Sequence, residues 1–265
     1  MKKAFALILA MLLTVTWWGG SAAEEKQTEY QSGDYSYVLL EDGTAEITDY
    51  EGGASDLGIP SRLDGYTVTS IGGGAFYGCE SLSSVTIPDS VTVIWDNAFS
   101  ECRSLSSVTI GMAVEYVGTN PFMDCQALEK IVVSPNHPLL ATIDKALFHK
   151  LDKRLICYPG GLSGASYLVP DGIQSIGDSA FSWCRRLTSV TIPDSVTSIG
   201  DYAFTGCESL SSVTIPDSVT SIGDGAFNDC DKLTLIVGSN SFAKEYAIEN
   251  DITYTYPDAN NWLNN

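Results

Sequence analysis

Six cysteines recur at one offset: Cys79, Cys102, Cys125, Cys184, Cys207 and Cys230 each follow a Phe by three residues. Thiols spaced so regularly could pair as disulfides, bind a metal or act as nucleophiles. Stacked one per coil of a repeat, neighbours lie about 5 Å apart, one strand spacing, which permits a bridge. The thiols would nevertheless project in parallel into a packed core, where Cys behaves as a small hydrophobe. No basic residue stands at a fixed offset beside all six to stabilise a thiolate. Free, buried thiols are therefore expected, with Cys157, out of phase with the ladder, the one to be exposed.

Carboxylates recur as well. Asp89, Asp194 and Asp217 fall in Pro-Asp turns, and Asp96, Asp178, Asp201 and Asp224 at the starts of short helical turns. Calcium takes several oxygens converging from one loop, and this spacing supplies one per coil. Turn formation and N-capping account for them, and no metal site is expected. The only histidines are His137 and His149. No nucleophile elbow, phosphate loop or zinc spacing accompanies them, so no catalytic residue, no cofactor and no enzyme are expected.

Two sets of residues suit binding instead. Lys145, Lys150, Lys153 and Arg154 fall within ten residues, with His149 among them. Phe148 and Leu155 flank Leu151-Asp152, a pattern that predicts a protruding hairpin with a basic tip. Loops leaving a rigid scaffold often carry function. The second set comprises outward strand positions: Ser84, Thr86, Ser107, Thr109, Lys130, Val132, Ser189, Thr191, Ser212 and Thr214. Together they make a small, polar, nearly uncharged face suited to an extended protein or glycan. Trp95, in place of a recurring Gly, and Trp183 are further aromatic candidates.

The elements that position these residues follow from a 23-residue period. Blocks 57–79, 80–102, 103–125, 185–207 and 208–230 are each 23 long, while 126–157 and 158–184 hold 32 and 27. In block 208–230, Leu210, Val213 and Ile215 point inward and Ser212 and Thr214 outward, giving a short strand. Pro216-Asp217 turns the chain, Val219 and Ile222 return to the core, and Gly223 permits a tight bend. Asp224 caps a helical turn carrying Ala226 and Phe227. Each buried large apolar side chain contributes about 1.5–3 kcal/mol before entropy is subtracted. A single coil cannot bury both its faces, so coils must stack. A period in this range with Leu, Val and Ile at set offsets predicts a leucine-rich solenoid.

The expected organisation has four parts. Residues 1–23 form a secretory signal, with Lys2 and Lys3, an apolar run and Ser21-Ala22-Ala23 before the cut. Residues 24–56 form a linker and a hairpin cap, where Tyr35, Tyr37 and Leu39 alternate before the Asp42-Gly43 turn. Residues 57–230 are the repeats, with a hairpin insertion around 135–166. Residues 231–265 form a C-terminal cap and tail, where Asn240 or Ser241 caps a short helix with Phe242, Ala243, Tyr246 and Ala247 on one face. No second long apolar stretch is present, so a secreted chain without an evident tether is expected. Removing Lys2 and Lys3 takes the formal charge from −19 to −21. Such acidity argues against nucleic acid and anionic membranes as partners.

The repeat L-x-x-V-x-I-P-x-S-V-x-x-I-G-x-x-A-F-x-x-C resembles that of the BspA-type, or Treponema-type, leucine-rich repeat family. The lead-in D-G-T-A-E-I-T-D-Y and the insertion L-F-H-K-L-D-K-R-L-I-C-Y-P are similar too. Gly111 for Pro and Pro121 for Ala depart from the pattern in the third block. The resemblance implies a bacterial surface or secreted protein, and some family members are adhesins for host matrix proteins or other bacteria. The expected molecule is a β-rich α/β, right-handed solenoid with a parallel concave sheet, monomeric, binding a protein or glycan. The alternative is a rigid spacer with no specific ligand. Thiol titration of unfolded, unreduced protein should find seven reactive groups; any smaller number means that ladder bridges form.

Overall fold

The computed structural model describes residues 28–239 and 241–257. The expected signal over 1–23, the capping candidate Asn240 and the tail residues 258–265 lie outside the described residues. Each coil lays down two short strands and a tight corner. In one coil these are Ser212–Ile215, Ser221–Ile222 and the turns leading to Cys230. Val213 and Ile215 are buried between half-exposed Ser212 and Thr214, the alternation a sheet buried on one face requires. The first strand pairs in parallel with Ser189–Thr191 and Thr234–Val237, and the second with Ser198–Ile199.

The third side differs from the helical turns expected. The repeats contain i→i+3 turns, such as Cys207 N to Phe204 O at 3.2 Å. The Phe amide is left free to bond sideways: Phe181 N donates to Ala203 O and Phe204 N to Ala226 O, both at 2.7 Å. An α-helix would use those amides along its own axis; the tight turn directs them to the next coil. Phe242–Glu249 is the α-helix among the described residues, capped by Ser241 Oγ, which accepts from Lys244 N at 3.2 Å. It buries Ala243, Tyr246 and Ala247 but leaves Phe242 exposed.

One aromatic ring per coil fills the interior. Phe76, Phe99 and Phe122 stack at centroid spacings of 4.8 and 5.6 Å, and Phe181, Phe204 and Phe227 at 4.7 and 5.1 Å. Tyr50, from the cap strand Ala45–Tyr50, and Tyr246 extend the stacks at either end. That strand pairs antiparallel with Tyr35–Leu39 and in parallel with Tyr66–Ile71, so the cap converts hairpin pairing into solenoid pairing.

The molecule is divided at its middle. The outward ladder is two sheets, not one: a four-stranded sheet ends at Lys130–Val133, and a five-stranded one starts at Ser166–Leu168. Between them the insertion forms the antiparallel strands Leu140–Ile143, Ala146–His149 and Arg154–Cys157, the last pairing in parallel with Ser175–Ile176. The expected hairpin forms between the last two of these strands, but it does not protrude as a whole. Leu147, Ile156 and Cys157 belong to the N-terminal core, whereas Ala146, Phe148 and Leu155 belong to the C-terminal one. The insertion is a wall with a core on each face, and only its tip projects. Cys157, expected at the surface, is fully buried in that wall, because three consecutive residues on a doubly covered strand all face apolar neighbours.

A wall and a projection respond differently to truncation. Leu147→Ala and Phe148→Ala should each cost about 2–5 kcal/mol in denaturant unfolding, by opening a cavity in one core or the other. Leu151→Ala, at the tip and 73% exposed, should stay within about 0.5 kcal/mol of the parent. Small losses at both wall positions would return the insertion to the surface.

Candidate functional site

The outward strand positions stand in register across the sheets. Ser84 opposes Ser107, which opposes Lys130, and Thr86, Thr109 and Val132 form the adjoining row. Ser189 faces Ser212, and Thr191 faces Thr214. Among the described residues, these eight Ser and Thr hydroxyls make no side-chain hydrogen bond. The hydroxyls just ahead of the strands bond instead to the preceding coil, as Ser106 Oγ does to Ser83 O and Ser211 Oγ to Thr188 O, both at 3.0 Å. The face hydroxyls are thus free to meet a ligand.

The basic residues of the insertion do not form one tip. Lys145 sits in the turn before Ala146–His149 and Lys150 in the turn after it, at opposite ends of that strand. His149 Nδ1 and Asp152 Oδ1 lie 2.6 Å apart, and Arg154 Nε is 3.4 Å from Asp152 Oδ2. Lys150 Nζ donates to the carbonyl of buried His137. The His137 Nδ1 accepts from the amides of Leu139 and Leu140 at 3.2 and 3.0 Å. Burial holds its pKa below the usual range, in the neutral form that these bonds need. Lys150 and Arg154 therefore serve the local fold, whereas Lys153, at the tip, makes no polar side-chain contact among the described residues.

Lys145 makes no such contact either, but it is placed differently. It shares a hollow of about 460 Å³ with Glu129, Lys130, Ile131 and Thr142. The last coil before the break and the first turn of the insertion meet there. Neither Lys130 nor Lys145 has an ion-pair partner among the described residues. Two candidates 15 positions apart, from different sets in the sequence, are brought together by the fold. The sequence signal for this was the lone Lys in the Ser/Thr ladder.

The thiols and carboxylates turn out to connect coils. Cys102 Sγ donates to Phe76 O at 3.0 Å, and Cys125, Cys207 and Cys230 make the same bond to Phe99, Phe181 and Phe204 at 3.1 Å. Burial pushes the Cys157 and Cys184 thiols up, away from the reactive thiolate, and hydrogen bonding with Cys125 takes Cys102 up to about 12. The aspartates expected as N-caps of their own turns bond one coil on instead. Asp96 Oδ1 accepts from Thr119 N at 2.6 Å, Asp178 from Asp201 N at 2.9 Å, and Asp201 from Asp224 N at 2.8 Å. The recurring glycine is needed for the same contact rather than for a bend. A Cβ at Gly200 would meet Asp178 Oδ1 at 2.2 Å, and one at Gly223 would meet Asp201 Oδ1 at 2.2 Å. Trp183 is a packing residue: its ring lies over Gly206 and carries the Arg185 guanidinium 5.0 Å from its centroid.

With this geometry in place, the comparisons with known proteins agree on one architecture. A family model described as the BspA type leucine rich repeat region matches residues 62–164 and 157–255, in six copies. A leucine-rich repeat protein of T. pallidum is similar at 25% identity and a TM-score of 0.51, over 87% of this chain and 98% of that one. One from Eubacterium ventriosum is similar at 24% identity and a TM-score of 0.52, over 79% of this chain and 72% of the other. No curated protein matches. Among the described residues, no helix is long and apolar enough to cross a membrane.

The carboxylate–glycine contact makes a contrast between two glycines. Gly200→Ala should lose about 1–3 kcal/mol, because the atoms its Cβ would strike are held by the neighbouring coil. Gly58→Ala, where nothing lies within 4 Å, should stay within about 0.5 kcal/mol in the same urea titration. Equal responses would remove the contact as the reason for the repeat's glycine.

Proposed function

Because the chain belongs to the BspA-type leucine-rich repeat family, we propose that it is a binding protein, and that its partner docks at the central break of the outward face. The observation that carries this reading is the meeting of Lys130 and Lys145 in one hollow. In a chain of formal charge −19, two lysines without ion-pair partners in one hollow, with Glu129 the one carboxylate among its lining residues, favour an acidic group. The free hydroxyl rows on either side supply hydrogen bonds along an extended partner. A secreted or surface-attached protein that adheres to host or neighbouring-cell macromolecules fits this arrangement. The partner would present a carboxylate or sulfate to the two lysines while the rest of it lies along the Ser and Thr rows.

The test is a binding screen in about 0.15 M salt, where loose charge attraction is largely screened. Matrix glycoproteins, mucin and bacterial envelope material would be passed over the immobilised full chain. A saturable partner is expected, with affinity falling about tenfold or more for Lys130→Glu/Lys145→Glu. Lys153→Glu, at the tip, should bind as the parent does. Unchanged affinity in the double variant would remove the hollow as the site, and silence across the panel would favour a spacer without a ligand.

A further inference from the structure

Trp95 breaks the repeat's rule on the face formed by the second strands. Other coils carry Gly there, and at Gly118, Gly200 and Gly223 the preceding coil's Asp fills the space of its Cβ. In the coil before Trp95 that Asp is replaced by Gly73, so no carboxylate stands in the way. Room alone does not account for the residue, because 42% of its surface stays exposed to solvent. Its orientation is nevertheless fixed. Trp95 Nε1 donates to Glu46 Oε2 at 2.8 Å and to Ser70 Oγ at 3.1 Å, and Ser70 Oγ itself donates to Glu46 Oε2 at 2.5 Å. The Tyr116 ring, 45% exposed, lies 5.4 Å from the indole at a 58° tilt. Glu46, Ser70 and Tyr116 come from three different strands, so the platform is held by the sheet rather than by a loop.

We propose that Trp95, Tyr116 and Glu46 form a second binding site, for the apolar face of a neutral pyranoside. The C–H bonds on one face of a pyranose carry slight positive charge and meet the negative face of an aromatic ring. With its N–H already bonded to Glu46, the indole makes no polar demand on the ligand. Glu46 Oε1 accepts no hydrogen bond among the described residues, and the Tyr116 hydroxyl makes none. Both can bond the hydroxyls at the rim of a stacked sugar. Glu46 at the indole and the exposed Glu115, next to Tyr116 in the chain, bring negative charge to the rings, and among the described residues no cation–ring contact is made with either. Acidic sugars are therefore repelled and neutral ones admitted. An aromatic fixed in advance also spares the entropy of ordering it on binding. On the C-terminal half the same face is a bare gutter of about 340 Å³ lined by Ser175, Ser198 and Ser221 with Gly177, Gly200 and Gly223. No ring stands in it, so the stacking site belongs to one place on the solenoid.

The full chain would be titrated with cellohexaose, xylohexaose and mannohexaose, followed by calorimetry and indole fluorescence. Saturable binding of at least one is expected. Trp95→Gly, which restores the residue of the other coils, should lose about tenfold or more in affinity. Tyr116→Ala should weaken it as well and guards against a folding defect in the first variant. Lys130→Glu/Lys145→Glu should leave it unchanged, which separates this site from the hollow. Failure of all three sugars to bind would overturn the proposal, as would binding that survives both aromatic variants. A protein partner lost in Trp95→Gly, with no sugar bound, would equally overturn it.

Discussion

The polar groups that join the coils of this solenoid find their partners about one coil away, and that requirement governs the rest. The strand amides, turn amides such as Phe204 N, the thiols of Cys102, Cys125, Cys207 and Cys230 and the carboxylates of Asp96, Asp178 and Asp201 reach across to the adjacent coil. A buried backbone group without a partner costs about as much as a lost hydrogen bond, so the coils must remain in register along their whole length. Leu, Val and Ile give the coils their shared interior. The less conspicuous Gly, Asp and Cys fix their spacing: Gly lets two coils approach, Asp fills the space the Gly leaves, and Cys offers a donor in an interior with no room for a larger one. The arrangement is one-dimensional, each coil answering only to its neighbours, and the two ends need residues that imitate a rung. Tyr50 and Tyr246 do so, each placing a ring against the terminal Phe.

The period was legible from the sequence because it is carried by apolar residues whose inward direction follows from strand alternation. The fold class and the family followed from it. The role of the aspartates was not legible. A carboxylate that caps its own turn and one that caps the turn 23 residues later occupy the same place in the repeat, and no local pattern separates them. The insertion was misread for another reason. Its apolar residues run consecutively, as Ala146-Leu147-Phe148 and Leu155-Ile156-Cys157, which marks strands buried on both faces. The charges between those runs drew attention to the tip, while the runs themselves defined the wall. The hollow at Lys130 and Lys145 could not be found by spacing at all, since it depends on where the insertion's first turn folds back.

Recognition in a repeat protein needs positions that differ from one coil to the next, and the stacking constraint says where those can arise. An outward residue inside the ladder is crowded by strands on both sides, which favours the short Ser and Thr that fill most of it. Lys130 sits on the last strand of its sheet, where the following strand is missing and a long side chain has space. Trp95 stands where the coil before it lacks the usual carboxylate. In both cases the side chain departs from the repeat because a neighbour's demand has lapsed. Departures of this kind cost the stack little, since the contact they would have broken is already absent. The positions free to acquire a ligand are thus the same ones at which the repeat is imperfect, and the regular coils between them set the distance and orientation at which those sites are presented.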